Sequence, residues 1–327
     1  MMTLVTGSTG FIGNHVARFL AKRGERLRLL VRKDSDREGL AALDQEVCLG
    51  DLRDEAALGR ALSGCRSVYH VAAAYKLWSR DPRELYSSNV AGTRNLLEVA
   101  RQAGVDRVVY TSSVGAIATP RDGTPVTEQT PSSLDRMTGH YKRSKYLAEQ
   151  EALRYAAAGL PVVIVSPTAP VGEGDFKPTP TGKIIKDFLA GKMPAYLETG
   201  LNLVDVRDVA RGHWLAAEHA GRGERYLLGS ENLSLHQILE RLARISGRKA
   251  PRLRLPYSVA WTAGAACEAW SRLTGKAPAI PLDSVRMARY AMFADCSKAR
   301  RELGFDPGPV DSALARAVNW FTQRGRS

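Results

Sequence analysis

The sequence predicts an α/β protein, a doubly wound parallel sheet with a small, mainly helical C-terminal lobe. Three observations carry this. The first half alternates short β-rich runs with helix-length periodic segments, the pattern of βαβ units. A glycine-rich turn directly follows the first apolar run and opens into a helical segment. Past Pro167 the alternation breaks into a Gly-, Pro- and Thr-rich stretch at 170–183, which reads as a loop leaving the sheet. A chain of 327 residues, 44% apolar and 25% charged, can bury a large core without disulfides or metal.

Taken in order, the strands are expected at Thr3 to Thr6, Arg26 to Val31, Gln45 to Leu49, Ser67 to Val71, Arg107 to Ser112 and Pro161 to Val165. Helices fall between them at Gly13 to Arg23, Asp54 to Leu62 and Asn89 to Ala103. The last carries Leu96, Leu97 and Ala100 on one face and Gly104 as its C-terminal stop. Further helices are expected at Asp208 to Glu218, Leu235 to Ser246 and Val310 to Arg324. The chain thus divides into a dinucleotide-binding core, 1–168, and a mixed region, 169–327, that returns strands and helices to the core and forms a substrate lobe. The uncharged run Pro256 to Cys267 is about half the length of a bilayer span and reads as a core-packed helix.

Composition narrows the partners. A formal charge of +13 attracts anionic small molecules, or an anionic lipid surface in weak peripheral contact. Nucleic acid is not expected, because no zinc finger, arginine tail or aromatic-basic platform is visible. Cys48, Cys65, Cys267 and Cys296 are scattered, so no metal site is expected and they read as small buried hydrophobes. Met2 to Gly7 is too short an apolar start for a secretory signal, and a cytoplasmic protein is expected.

The turn Thr6-Gly7-Ser8-Thr9-Gly10-Phe11-Ile12-Gly13 has the residues a Rossmann-type phosphate site needs. Gly7, Gly10 and Gly13 let the backbone turn tightly and let phosphate approach, while the N–H groups around Phe11 and Ile12 face it at a helix N-terminus. Arg32 stands at the end of the second strand, where a carboxylate would favour NAD. Its guanidinium can fork onto a 2′-phosphate, so NADP(H) is the expected preference, with NAD(H) as the alternative. Asp51 and Leu52, past the third strand, are placed to meet adenine. The small residues Ala72 to Ala74 after the fourth let a flat cofactor lie close to the backbone.

Tyr141 and Lys145, at i and i+4, share one helical face. A neighbouring ammonium favours phenolate, which makes Tyr141 a workable acid/base for a carbinol. Thr111, Ser112 and Ser113 bring hydroxyls to the end of the fifth strand, where Ser113 can orient a substrate oxygen. Tyr75, Trp78 and Lys177 are candidate substrate contacts, and Lys76, Arg80 and Lys183 candidate phosphate contacts.

These segments, together with Asn89 to Asn95, Lys177 to Gly182 and Asn202 to Val209, resemble the atypical extended short-chain dehydrogenases of the NAD-dependent epimerase/dehydratase superfamily. Among these the chain is most similar to the hopanoid-associated sugar epimerases, with the dihydroflavonol reductases as relatives. The resemblance implies a Ser113, Tyr141 and Lys145 triad, with Asn89 shaping the active-site helix and Pro167 and Thr168 closing against the nicotinamide. Asp205 and Asp208 would tie strand to helix rather than touch substrate. It also implies a homodimer through two long helices flanking the sheet. Two reactions fit: sugar epimerisation in hopanoid-linked metabolism, with 118–139 as a lid, and reduction of a small carbonyl compound by NADPH. A dehydratase would want an acidic pair beside the tyrosine, where this chain has Thr111 to Val114.

Overall fold

The structure, a computed structural model, describes residues 2–41, 43, 45–75 and 77–325. Its strands are β1 (Met2–Thr6), β2 (Arg26–Val31), β3 (Glu46–Leu49), β4 (Cys65–His70), β5 (Arg107–Thr111), β6 (Val162–Pro167), β7 (Ala169–Val171), β8 (Ala195–Leu197), β9 (Gly200–Asp205), β10 (Arg225–Leu228), β11 (Glu231–Ser234) and β12 (Leu253–Leu255). The helices are α1 (Phe11–Lys22), α2 (Glu55–Leu62), α3 (Arg83–Tyr86), α4 (Gly92–Gln102), α5 (Gly139–Ala157), α6 (Pro180–Leu189), α7 (Val206–His219), α8 (Leu235–Ser246), α9 (Tyr257–Thr274), α10 (Leu282–Met287), α11 (Ser297–Leu303) and α12 (Val310–Arg324).

Seven parallel strands form the main sheet in the order β10-β6-β5-β4-β1-β2-β3. The chain winds outward from β1 to β3, then crosses back to β4 and winds the other way. The reversal opens a crevice at the carboxyl ends of β1 and β4, where such sheets take their ligands. One face is covered by α1, α7 and α11 over Val5, Leu29, Val165 and Phe305. The other is covered by α2, α4 and α5 over Leu4, Val108, Ile164 and Leu97. Apolar side chains on both faces are what makes these strands read as continuous hydrophobic runs.

A third core lies in the lobe, where α6, α8 and α12 close on β9 and β11 around Phe188, Leu239 and Leu314. The stretch 170–183 is the loop its composition predicts only over 172–179. Its start is β7, paired with β9, and its end is the first turn of α6, capped by the Thr179 hydroxyl with Pro180 next. Proline is favoured at a first helical position, so a breaker-rich sequence here starts a helix.

The expected core-packed helix at Pro256 to Cys267 is also corrected. It becomes α9, which rests on α10 and buries only Gly264 and Ser271 among its 18 residues. Its inward face is built of small residues, and its large apolar side chains point outward. No helix among the described residues is long and apolar enough to cross a membrane.

Candidate active site

At the nucleotide end the turn between β1 and α1 is fixed by backbone proximity. Gly7 has φ of 74°, and a Cβ on it would lie 2.6 Å from the Ala72 nitrogen. A Cβ on Gly13 would lie 2.1 Å from the Gly7 oxygen. The helix N-terminus is capped by Gly10 without any side-chain hydrogen bond, and its first turn holds no acid. Uncapped N–H groups and a positive dipole end, on a turn with no room for side chains, fit a dinucleotide's phosphates.

Asp51 is placed just past β3, where Arg53 holds its carboxyl below the usual range through paired contacts of 2.7 and 2.8 Å, with Arg32 adding to the effect. Leu52 packs on Gly92 at the head of α4. Both backbone groups of Ala74 bond to the Asn89 amide, whose nitrogen also donates to the Ser144 hydroxyl at 2.9 Å. Asn89 therefore ties the loop after β4 to the helix bearing Tyr141, within a π-helical turn at Ser87–Ala91.

At the chemical end, Ser113 follows β5 and its oxygen accepts from the Gly115 N–H at 3.0 Å. Its hydroxyl hydrogen-bonds the Tyr141 phenol, whose pKa burial pushes up to about 12. The Tyr75 ring lies against Tyr141 with centroids 4.2 Å apart. Lys145 is buried, and its ammonium donates to the Thr111 carbonyl at 2.8 Å and to the Tyr110 hydroxyl at 3.4 Å. Burial lowers its pKa to about 8, against the pull of Glu149. Thr168, beyond Pro167 at the end of β6, donates to the Asn202 side-chain oxygen at 3.0 Å.

The structure therefore gathers Ser113, Tyr141, Lys145, Thr111, Tyr75 and Asn89 at one sheet edge. Trp78 lines a neighbouring cavity of about 480 Å³ together with Leu77, Arg80, Leu85, His140 and residues of α9 and α10. Lys177 is exposed on a loop whose Phe176 packs against Trp320 and Gly39, beside α1. Lys183 pairs with Asp187 at 2.5 Å. Lys76 lies outside the described residues. Asp205 caps α7 and pairs with Arg316, while Asp208 accepts the Gly308 N–H at 2.8 Å, both as tethers.

Sequence reasoning passed over a buried polar chain beneath this edge. His70 joins the Thr6 hydroxyl at 2.8 Å to the Thr93 hydroxyl at 3.0 Å. Thr93 in turn bonds Tyr110, which meets Lys145. Burial lowers the His70 pKa to about 3, so the ring is neutral. On the other flank the Ser112 hydroxyl donates to Glu149, which Arg225 faces at 3.4 Å. The i,i+4 spacing of Lys145 and Glu149 was the available signal for the second group. The first joins four elements and leaves no local pattern.

A family model described as the NAD dependent epimerase/dehydratase family matches residues 3–229, and so takes in both the glycine turn and the Tyr141 helix. The chain belongs to that family. Within the family, it is 46% identical to the "Putative dihydroflavonol 4-reductase" of Synechocystis sp., over 98% of this chain and 94% of that protein. It is 38% identical to sterol demethylase protein B of Methylococcus capsulatus, over 99% of both. A farnesyl-dihydroquinoline-oxide ketoreductase of Stigmatella aurantiaca is 31% identical over 93% of this chain and 92% of that protein. Among solved structures, gox2253 superposes with a TM-score of 0.89 at 47% identity over 99% of each chain. PA4631, a nucleoside-diphosphate-sugar epimerase from Pseudomonas aeruginosa, does so at 0.82 and 31%, over 99% of this chain and 98% of that one.

The family also corrects the cofactor expectation. Structures of this fold solved with NAD include UDP-glucuronic acid 4-epimerase from Bacillus cereus, at 20% identity and a TM-score of 0.79 over 99% of this chain and 100% of that one. Another is UDP-glucose 4-epimerase from Thermus thermophilus, at 24% and 0.78 over 98% and 99%. They overturn the NADP(H) preference read from Arg32. The physical reason is local charge. Arg32 is exposed among charges of both signs, Lys33, Asp34, Asp36 and Arg37, and Asp51 beyond it is held by Arg53, so one solvated guanidinium at the strand end does not by itself select an extra phosphate.

Proposed function

We propose that this oxidoreductase is a nicotinamide-dependent carbonyl reductase that converts a ketone or aldehyde to its carbinol, with Tyr141 as proton donor. The observation that carries the reading is the protonated Tyr141 phenol, raised to about 12 and bonded to Ser113 at the carboxyl end of β5. Reduction places negative charge on the substrate oxygen, and two hydroxyls converging there can stabilise it, with Tyr141 delivering the proton. The nicotinamide, when bound, supplies the hydride. Lys145, one turn along the same helix, carries positive charge that stabilises the phenolate left once the proton is delivered, and Tyr75 shields the phenol from bulk water.

The reductase and ketoreductase names of the Synechocystis and Stigmatella relatives support this direction of reaction. The cavity beside His140 is lined by Leu77, Trp78 and Leu282 together with Arg80 and with Arg272 and Arg286, which pair with Glu268 and Asp283, and it supports a carbonyl compound with both apolar and polar parts. The second reading is a sugar epimerase in hopanoid-linked metabolism. It draws on the PA4631 epimerase, at 31% identity.

Turnover of aromatic ketones and nucleotide sugars with NADH decides between them. Carbinol formed with stoichiometric loss of NADH, and a fall of about 10²-fold or more in Tyr141→Phe, is the expected result. Isomer formation without net cofactor consumption overturns the reductase and leaves the epimerase.

A further inference from the structure

Helix α9 has its polarity inverted. A surface helix ordinarily buries an apolar stripe and presents charge to water. Here the outward stripe is Val259, Ala263, Ala266, Trp270 and Leu273, repeating every three or four residues. Trp270 is 66% and Leu273 83% exposed, with Val259 at 50%. The inward side is instead small, with Gly264 close enough to Leu282 and Val285 of α10 that a Cβ would lie 3.2 to 3.4 Å from them.

Cations flank the stripe. Arg248, Lys249 and Arg252 precede its N-terminus and Lys276 follows its C-terminus, all exposed and none in an ion pair among the described residues. Leu253, 62% exposed, extends the apolar surface between them.

We propose that this face docks on an anionic lipid bilayer. Tryptophan and leucine suit burial at the headgroup boundary, and unpaired cations around them suit acidic headgroups, on a protein of formal charge +13. The helix cannot span, so the contact is peripheral. A second copy is the poorer occupant. A two-fold contact across this stripe brings Arg248, Lys249, Arg252 and Lys276 of both copies together, which like charges oppose. Ser271 and Arg272 of the same helix line the cavity beside His140, so the docking helix is also one wall of that cavity.

The test is co-sedimentation of the full-length protein with vesicles of phosphatidylcholine alone or mixed with phosphatidylglycerol, at low and high salt. The expected result is binding only to phosphatidylglycerol vesicles, released by salt. Trp270→Glu/Leu273→Glu should lower partitioning by about tenfold or more while circular dichroism and NAD affinity match the parent. Should that variant misfold, Arg252→Glu/Lys276→Glu, which keeps the apolar stripe, should show a comparable loss. The proposal is overturned by sedimentation that ignores phosphatidylglycerol, by a folded double variant that binds as the parent does, or by a parent dimer that the double variant converts to monomer, which would give the face to a second copy.

Discussion

Two glycines in helices, Gly13 in α1 and Gly59 in α2, call for opposite responses to the same substitution. A Cβ at Gly13 would stand 2.1 Å from the Gly7 oxygen, 2.6 Å from its carbon and 3.1 Å from the Ser8 nitrogen, all backbone. Ordinary contact begins at 3.4 Å, so in Gly13→Ala the turn must open by 1.3 Å. Overpacking of this kind costs about 1–3 kcal/mol, partly offset by the roughly 1 kcal/mol that alanine gains over glycine in a helix. The Gly7 carbonyl that would be displaced accepts the Gly10 N–H at 2.9 Å, so the N–H groups meant for phosphate move with it. Losing one charge-assisted hydrogen bond at about 1.5–3 kcal/mol raises the NAD dissociation constant about 10- to 100-fold. A Cβ at Gly59 meets nothing within 4 Å, so Gly59→Ala should stabilise by about 0.5–1 kcal/mol and leave NAD affinity unchanged. Calorimetric NAD titration and urea unfolding measure both. A folded Gly13→Ala protein that binds NAD as tightly as the parent would refute the assignment of this turn to the phosphates.

Carbonyl reduction should hold steady at neutral pH and decline as pH rises through about 8, where Lys145 loses its charge while Tyr141, near 12, stays protonated; Lys145→Met should be slow and lack that decline in a pH–rate profile. Asn89→Ala strands the Ala74 backbone groups and Ser144, and should lose about 1–3 kcal/mol by urea unfolding together with turnover. His70 and His213 titrate near 3 and 4 in the fold against 6.5 when exposed. The unfolded chain therefore binds more protons below 6.5, and stability should fall from there toward the folded values; His70→Gln/His213→Gln should flatten that acid slope in urea midpoints taken across it.

How much of this was legible depended on whether the signal was local. Arg26–Val31, Leu235–Ser246 and Val310–Arg324 appear with the bounds their local pattern gives, the strand as a short apolar run buried on both sheet faces and the helices as one apolar stripe each. The proposed triad draws on equally local signals, one helix and one strand end, and the structure brings Ser113 and Tyr141 into hydrogen-bond contact. The run Pro256 to Cys267 was misread because apolar content does not say which way a face points, and Gly264 rather than Trp261 makes the inward contact. Arg32 misled because its charge was read alone, whereas the side chain is exposed among charges of both signs. The His70, Thr93 and Tyr110 chain could not be read at all, since its members sit on β4, α4 and β5 and meet only once the sheet is ordered.

The Glu149 group on the other flank bears on why the catalytic end needs the whole molecule. Lys145 is an ammonium in an apolar interior, a costly group unless opposite charge lies near. Its balance is Glu149, itself buried and raised in pKa by that burial, and Glu149 is held by Arg225 and the Ser112 hydroxyl. Arg225 belongs to β10, which arrives at the edge of the main sheet only after the chain has passed through β9 and α7. A fragment ending at 168 would keep the glycine turn, Ser113, Tyr141 and Lys145, yet leave Glu149 without its arginine. The strand that returns from the second half is therefore part of the electrostatics of the first. Arg225→Met in the full chain isolates that link: the sheet keeps its strand, while Glu149 takes up a proton more readily and the support for Lys145 weakens. The pH at which reduction declines should then move down from about 8, and an unshifted decline would show that Lys145 is held by the Thr111 carbonyl and Tyr110 alone.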